Sequence, residues 1–304
     1  MFKPSKILVA VDFGACSKRA LEAAASIART TGGALHVLHV YEPPYYAPEA
    51  LIHLPGQAPM PIVDYVRDSG ETLLEQFVSG VRADATLTGG VQTHLTPGLA
   101  FQAIPQQARA LGAELVVLGT HGRHGLSHVL LGSVAERVVR DAPCPLLVVR
   151  DTEGAPPFPA AFDRVLVPVD FGADAAAATT TAFDLVGRRV DALHLAHVVP
   201  APAYTGDVLV PHGGGVKLSQ FLHDDALKLL GEFATAQGVT GASMHVLQGG
   251  ASENLIRLSA EEDVQLIVMG TRGRHGLAHF FVGSVAERIL RHTPCPVLIV
   301  RATY

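Results

Sequence analysis

The chain has no tryptophan, few aromatic residues (6%) and few charges (17%) in 304 residues. Its three cysteines are too few for a disulfide scaffold and suit a reducing compartment. The formal charge is −5 and the pI about 6.3, so the basic footprint of a nucleic-acid binder is missing. The longest apolar runs, such as Ile7 to Val11 and Pro296 to Val300, fall far short of the roughly 18 residues that span a bilayer. Met1 to Lys6 lead straight into a strand-like segment, without a signal peptide's apolar region and cleavage site. Neither a Gly-x-Ser-x-Gly nucleophile elbow nor a Walker glycine-lysine loop occurs. A fast ATPase therefore lacks its usual parts. Glycine (30) and proline (20) are ordinary in share, which excludes collagen-like and low-complexity chains. A soluble cytoplasmic protein is expected, with no membrane and no nucleic-acid partner.

What is present is a repeat. Gly119 to Arg150 and Gly270 to Arg301 align without a gap, and about two thirds of the positions are identical. The offset there is 151, and it also relates Gly98 to Gly249. Val9-Ala10-Val11-Asp12-Phe13-Gly14 matches Val167-Pro168-Val169-Asp170-Phe171-Gly172 at an offset of 158, as His39-Val40 matches His197-Val198. The first copy therefore carries about seven extra residues, placed in the Pro-rich stretch Pro43 to Pro61. The reading is two copies of one domain, 1–150 and 163–304, joined by a Pro/Ala-rich linker at 151–162.

Within one copy, short apolar runs at Lys6 to Val11, Leu35 to Tyr41, Val91 to Thr96, Glu114 to Leu118 and Leu146 to Val149 read as strands. Between them, Ser17 to Thr31, a face built on Val66, Leu73, Leu74, Phe77 and Val81, Ala100 to Leu111 and Ser133 to Arg140 read as helices. Alternating strands and helices predict parallel sheets with right-handed crossovers. Strands apolar on both faces account for the mean hydropathy of +0.29.

The candidate ligand site follows from glycine spacing. Gly119-x-x-Gly122 is followed by nine residues and Gly132-Ser133; Gly270-x-x-Gly273 is followed by nine residues and Gly283-Ser284. Glycines leaving a strand let backbone N–H groups approach an anion, and the helix that follows adds unpaired N–H groups at its start. Arg123 and Arg274 stand beside these loops. A structural alternative is a capping box, Ser133 with Glu136 and Ser284 with Glu287. That explains the serine and glutamate but not the two glycines upstream. Asp12 and Asp170, at the ends of the first strands, either cap the following loop or accept from a ligand's hydroxyl or amino group.

Other residues weigh less. His124/His128 and His275/His279 have i, i+4 spacing, but nothing nearby completes a metal site, so no metal is expected. His36, His39, His194 and His197 fall on strands and read as core or sheet-edge histidines. Cys144 and Cys295, each between prolines, read as packing residues, and Cys16 as an unpaired thiol near the site.

On these motifs the chain resembles a tandem universal stress protein over nearly its whole length. Both copies match the family's G-x2-G-x9-G-(S/T) signature, and the Val-Asp and His-Val strand ends match as well. The resemblance implies two tandem α/β domains. Each is a doubly wound, five-stranded parallel sheet of order 3-2-1-4-5, Rossmann-like and of the adenine nucleotide alpha hydrolase type, with ATP (and magnesium) in the crevice. Carried over by position, Ala10 packs on the base, Asp12 and Val40 hold the adenine and ribose end, and Gly119, Gly122, Gly132 and Ser133 take the phosphates. Pro168, Asp170, Val198, Gly270, Gly273, Gly283 and Ser284 do the same in the second copy, with Arg272 where the first copy has His121. Ser17 supplies the serine common after the family's first strand, whereas Ala175 stands there in the second copy. The resemblance further implies pairing of the two copies through their fifth strands, and a homodimer. The function it implies is nucleotide-dependent regulation through a protein partner rather than catalysis. A slow ATP hydrolase or phosphotransferase and an interaction module with empty sites are the alternatives.

Overall fold

A computed structural model describes residues 2–44, 49–56, 58–120, 132–150, 158–201, 207–209, 215–271 and 283–302. The chain divides into two compact units, Lys3–Ala160 and Ala161–Tyr304, the latter also taking in Met1–Phe2.

In the first unit the five apolar runs form parallel strands β1 (Lys6–Val11), β2 (Ala34–Tyr41), β5 (Val91–Pro97), β6 (Leu115–Gly119) and β7 (Leu146–Val149). Their spatial order is β5-β2-β1-β6-β7, the expected 3-2-1-4-5. The connecting helices are α1 (Ala15–Thr31), α2 (Ile62–Arg82), α3 (Ala100–Leu111) and α4 (Ser133–Asp141). The Pro-rich insertion adds β3 (Leu51–Ile52) and β4 (Met60–Pro61), a two-residue antiparallel ladder leading into α2. The apolar pattern there is too short to announce strands.

Ile7, Leu8, Val9, Leu115, Val116 and Val117 are fully buried, as strands covered on both faces must be. Helix α1 packs on β1 and β6 and buries Ala20, Ala23, Ala24 and Ala28, small side chains that allow close approach. It stops at Gly32, which is left-handed (φ 73°) and donates its N–H to the Ala28 carbonyl.

The second unit repeats the plan. Strands β8 (Val165–Pro168), β9 (Leu193–Val199), β12 (Ser243–Gln248), β13 (Leu266–Met269) and β14 (Val297–Ile299) lie in the order β12-β9-β8-β13-β14. Helices α5 (Ala173–Leu185), α6 (Leu218–Ala236), α7 (Ala251–Glu261) and α8 (Ser284–His292) connect them. A short antiparallel pair, β10 (Asp207–Leu209) with β11 (Gly215–Lys217), precedes α6. In both units the strand order reverses at the central strand, the first three strands running outward on one side of it and the fourth and fifth on the other. This switch point, β1/β6 and β8/β13, is where open α/β sheets open a crevice.

Two of the strand histidines, His36 and His194, turn out to be paired with histidines of the third strand. His36 Nδ1 lies 3.0 Å from His94 Nε2, and His194 Nδ1 lies 3.1 Å from His245 Nε2. Each pair bridges a second and a third strand diagonally, since His36 faces Gln92 and His194 faces Ser243 in register. Burial holds His36 below the ordinary imidazole range, helped by His94 and Lys6. Burial alone lowers His94. Burial also lowers His194, as do His245 and Arg164, against an opposing Glu262.

The unfolded chain therefore takes up protons first as pH falls through about 6.5. Stability is expected to be full above that pH and to decline below it. Urea midpoints at pH 8 and pH 5 check this, with His36→Asn plus His194→Asn flattening the profile. A wild-type midpoint that does not fall between pH 8 and pH 5 contradicts it.

The thiols behave as packing residues. Burial pushes Cys144 up to about 12 and Cys295 up to about 11.

Candidate functional site

The crevice is built from strand ends. In the second unit β8 ends at Pro168 and the chain turns sharply at Phe171, whose φ of 65° is left-handed. Phe13 makes the same turn in the first unit with φ 69°. A bulky residue in that conformation costs about 1–3 kcal/mol and persists only where its surroundings hold it. Here aromatic packing does so. The Phe13 ring sits 4.3 Å from His39 and 5.5 Å from Phe77, and the Phe171 ring 4.5 Å from His197 and 5.9 Å from Phe233. Each histidine is fixed in turn, His39 Nδ1 at 2.8 Å from the Val11 carbonyl and His197 Nδ1 at 2.6 Å from that of Val169.

This turn presents the aspartate. Asp170 Oδ1 accepts from the Gly172 N–H at 2.9 Å. Asp12 Oδ1 accepts from the Gly14 N–H at 3.0 Å and from Ser17 Oγ at 2.5 Å. One carboxylate oxygen thus caps the loop in both units, as the structural alternative required.

Around Asp170 lies a cavity of about 270 Å³. Of the residues assigned from sequence, Pro168, Asp170, Val198, Gly270, Gly283 and Ser284 all line it. Arg272, Gly273 and Arg274 lie outside the described residues, as do Gly122, Arg123 and the histidines at 124, 128, 275 and 279. In the first unit Ala10 and Asp12 stand at the end of β1, Val40 near the end of β2 and Gly119 at the end of β6, while Gly132 and Ser133 open α4. Gly119 and Gly270 need to be glycine. A Cβ there would stand 2.7 Å from that of Cys16 and 2.5 Å from that of Asp174, respectively.

The capping-box expectation fails. Gly132 and Gly283 hold the N-cap positions, the serines are the first helical residues, and no side chain caps either helix. Glu287 pairs with Arg291 at 2.6 Å instead of reaching back. The backbone supplies the reason. Gly132 N–H donates to the Thr120 carbonyl (2.7 Å) and Gly283 N–H to that of Thr271 (2.8 Å). The glycine is thereby tied at the mouth of the loop, and the helix begins one residue earlier than a serine cap would place it. Ser284, Val285 and Ala286 form the first turn of α8 and line the cavity. Their N–H groups have no intrahelical partner and lie at the positive end of the helix dipole.

Several lining residues were not assigned from sequence. Thr271 is buried, spans the loop mouth and lines the crevice, and its counterpart Thr120 is buried too. Its identity in both copies was the available signal. Ala196, Ala251, Leu255 and Met269 supply apolar wall and carried no chemical signature, while Ala175, noted from sequence as the counterpart of Ser17, lines the cavity with them.

Fold and site together define a class: tandem doubly wound α/β units, each with its crevice at the switch point. The profile of the Universal stress protein family matches residues 4–150 and again 161–301, and the chain belongs to that family. Universal stress protein Rv2623 of Mycobacterium tuberculosis strain H37Rv is 27% identical over 301 residues, covering 97% of this chain and 96% of that one. Universal stress protein Rv2005c of the same strain is 33% identical over 192 residues, and that match spans only 62% of either chain. In fold, a universal stress protein from Archaeoglobus fulgidus DSM 4304 superposes with a TM-score of 0.65 at 21% identity, covering 97% of this chain and 96% of that one.

Proposed function

We propose that the chain binds ATP in the crevice of each unit and acts as a nucleotide-dependent regulator in a stress response. The observation that carries this reading is the second-unit cavity. It brings a strand-end carboxylate, Asp170, together with the uncapped start of α8 and the glycines that leave β13. Anions bind at such helix starts. A cavity of about 270 Å³ suits a nucleoside-sized body, being close to the lower end of small-molecule sites at roughly 300–1,000 Å³.

In this reading Pro168 and Val198 flank the base, and Asp170 accepts from the ribose or base. Gly270, Gly283 and Ser284 meet the phosphates, with Arg272, Gly273 and Arg274 in the adjoining loop. Ala10, Asp12, Val40, Gly119, Gly122, Arg123, Gly132 and Ser133 take the matching places in the first unit. Magnesium would arrive on the triphosphate. A regulatory role is favoured over catalysis because the lining offers little, among the described residues, to activate a nucleophile: His197 Nδ1 is already engaged by the Val169 carbonyl, and the walls are mainly apolar.

Mass spectrometry of ligand released by denaturing the gently purified protein tests the reading, with a titration of the emptied protein beside it. ATP is expected, at up to two per chain. Absence of any adenine nucleotide, together with no ATP binding in the titration, overturns it.

A further inference from the structure

Among the differences between the two units is one hydroxyl beside the strand-end aspartate. In the first unit Ser17 Oγ makes two bonds to the same residue: it donates to Asp12 Oδ1 at 2.5 Å and accepts from the Asp12 backbone N–H at 2.9 Å. Ser17 is the third residue of α1, and the third residue of α5 is Ala175. Asp170 keeps its loop contact, Gly172 N–H to Oδ1 at 2.9 Å, so its carboxylate is anchored by the backbone as in the first unit. The donor and acceptor that Ser17 provides are missing. Among the described residues, no acceptor meets the Asp170 N–H and no hydroxyl meets its Oδ1. The vacated volume is open to the crevice, because Ala175 and Asp170 both line it.

We propose that Ala175 and Asp170 bound a hydroxyl-sized niche in the second unit, filled by a hydroxyl of the bound ligand. The proposal rests on the nucleotide reading above and names the group recognised there. The chemistry selects a hydroxyl. The niche asks one atom both to donate, to Oδ1, and to accept, from the Asp170 N–H. A hydroxyl does both, an uncharged aromatic amino group only donates, and a carbonyl only accepts. On a nucleotide these groups belong to the ribose, so the second unit distinguishes ribose from deoxyribose. In the first unit Ser17 already occupies the niche, and that unit is indifferent. Ala175 is therefore a specificity-determining residue.

The test titrates the full chain carrying Asp12→Ala, which weakens the first site, with ATP, 2′-deoxy-ATP and 3′-deoxy-ATP. One deoxy analogue is expected to bind the second unit about 10-fold more weakly than ATP, the loss of one hydrogen bond to a charged group. Adding Ala175→Ser should bring that ratio close to one. In the reverse direction, Ser17→Ala in a chain whose second site is weakened by Asp170→Ala should create discrimination in the first unit. This second variant guards against misfolding caused by a larger residue at buried position 175.

Equal binding of ATP and both deoxy analogues means that water alone fills the niche, and overturns the proposal while leaving nucleotide binding intact. Discrimination that survives Ala175→Ser also overturns it. Absence of ATP binding in the unmutated chain removes the nucleotide reading and this proposal with it.

Discussion

Replacing Gly89 by alanine is expected to destabilise the first unit by about 3 kcal/mol, the upper end of ordinary overpacking. A Cβ at Gly89 would stand 2.3 Å from both C and O of Gly33 and 2.6 Å from the Ala34 nitrogen. All three are backbone atoms, so no side chain can rotate away. Gly33 cannot retreat either, since its own Cβ position is 2.4 Å from the Pro4 carbonyl oxygen. Relief must come from the start of β2, where Ala34 N–H bonds the Ser5 carbonyl (2.8 Å) and Leu35 N–H that of Gly90 (3.0 Å). Gly80→Ala is the internal control. Nothing lies within 4 Å of that position, and Gly80 is exposed on α2, so alanine there should stabilise by about 0.5–1 kcal/mol. Urea unfolding followed by circular dichroism should move in opposite directions for the two variants. A midpoint unchanged by Gly89→Ala would contradict the packing described.

The second large effect is on ligand affinity. Asp170→Ala is expected to weaken ATP binding to the second unit by about 10- to 100-fold, because hydrogen bonds to a charged group contribute about 1.5–3 kcal/mol. Part of any fall in stability will come from the lost Gly172 contact. Calorimetric titration should therefore be done well below the melting transition of the variant. Undiminished affinity in a folded Asp170→Ala protein would remove Asp170 from the site.

Much of the fold was legible because the strands are buried on both faces. Runs such as Ile7 to Val9 and Leu115 to Val117 have no polar positions to blur them, and the repeat fixed their order twice over. The glycine-serine pair was legible as a helix start, and the aspartate as a strand end. The position of the cap was not. Serine and glycine both serve as N-caps, and the choice was made by the backbone bond from Gly283 to Thr271, whose partners are twelve residues apart. The histidine pairs needed strand register that no local pattern carries: His36 and His94 meet only once β2 and β5 are aligned. The left-handed turn at Phe13 and Phe171 runs against the preference of bulky side chains, and only the rings packed around it make it tenable.

That turn has a mechanical consequence. Phe171 follows Asp170 directly, and its ring rests on Phe233 of α6. The Phe233 ring and His197 both pack against the left-handed turn, so Asp170 is supported from the outer layer of the unit as well as from the sheet. Phe77 of α2 does the same for Asp12. Each crevice is thus joined to an outer helix through one ring: Phe171 links the residue after Asp170 to α6, and Phe13 links the residue after Asp12 to α2. The connection is one aromatic contact long in each unit, and it spans from the strand end that carries the aspartate to the helix packed outside it.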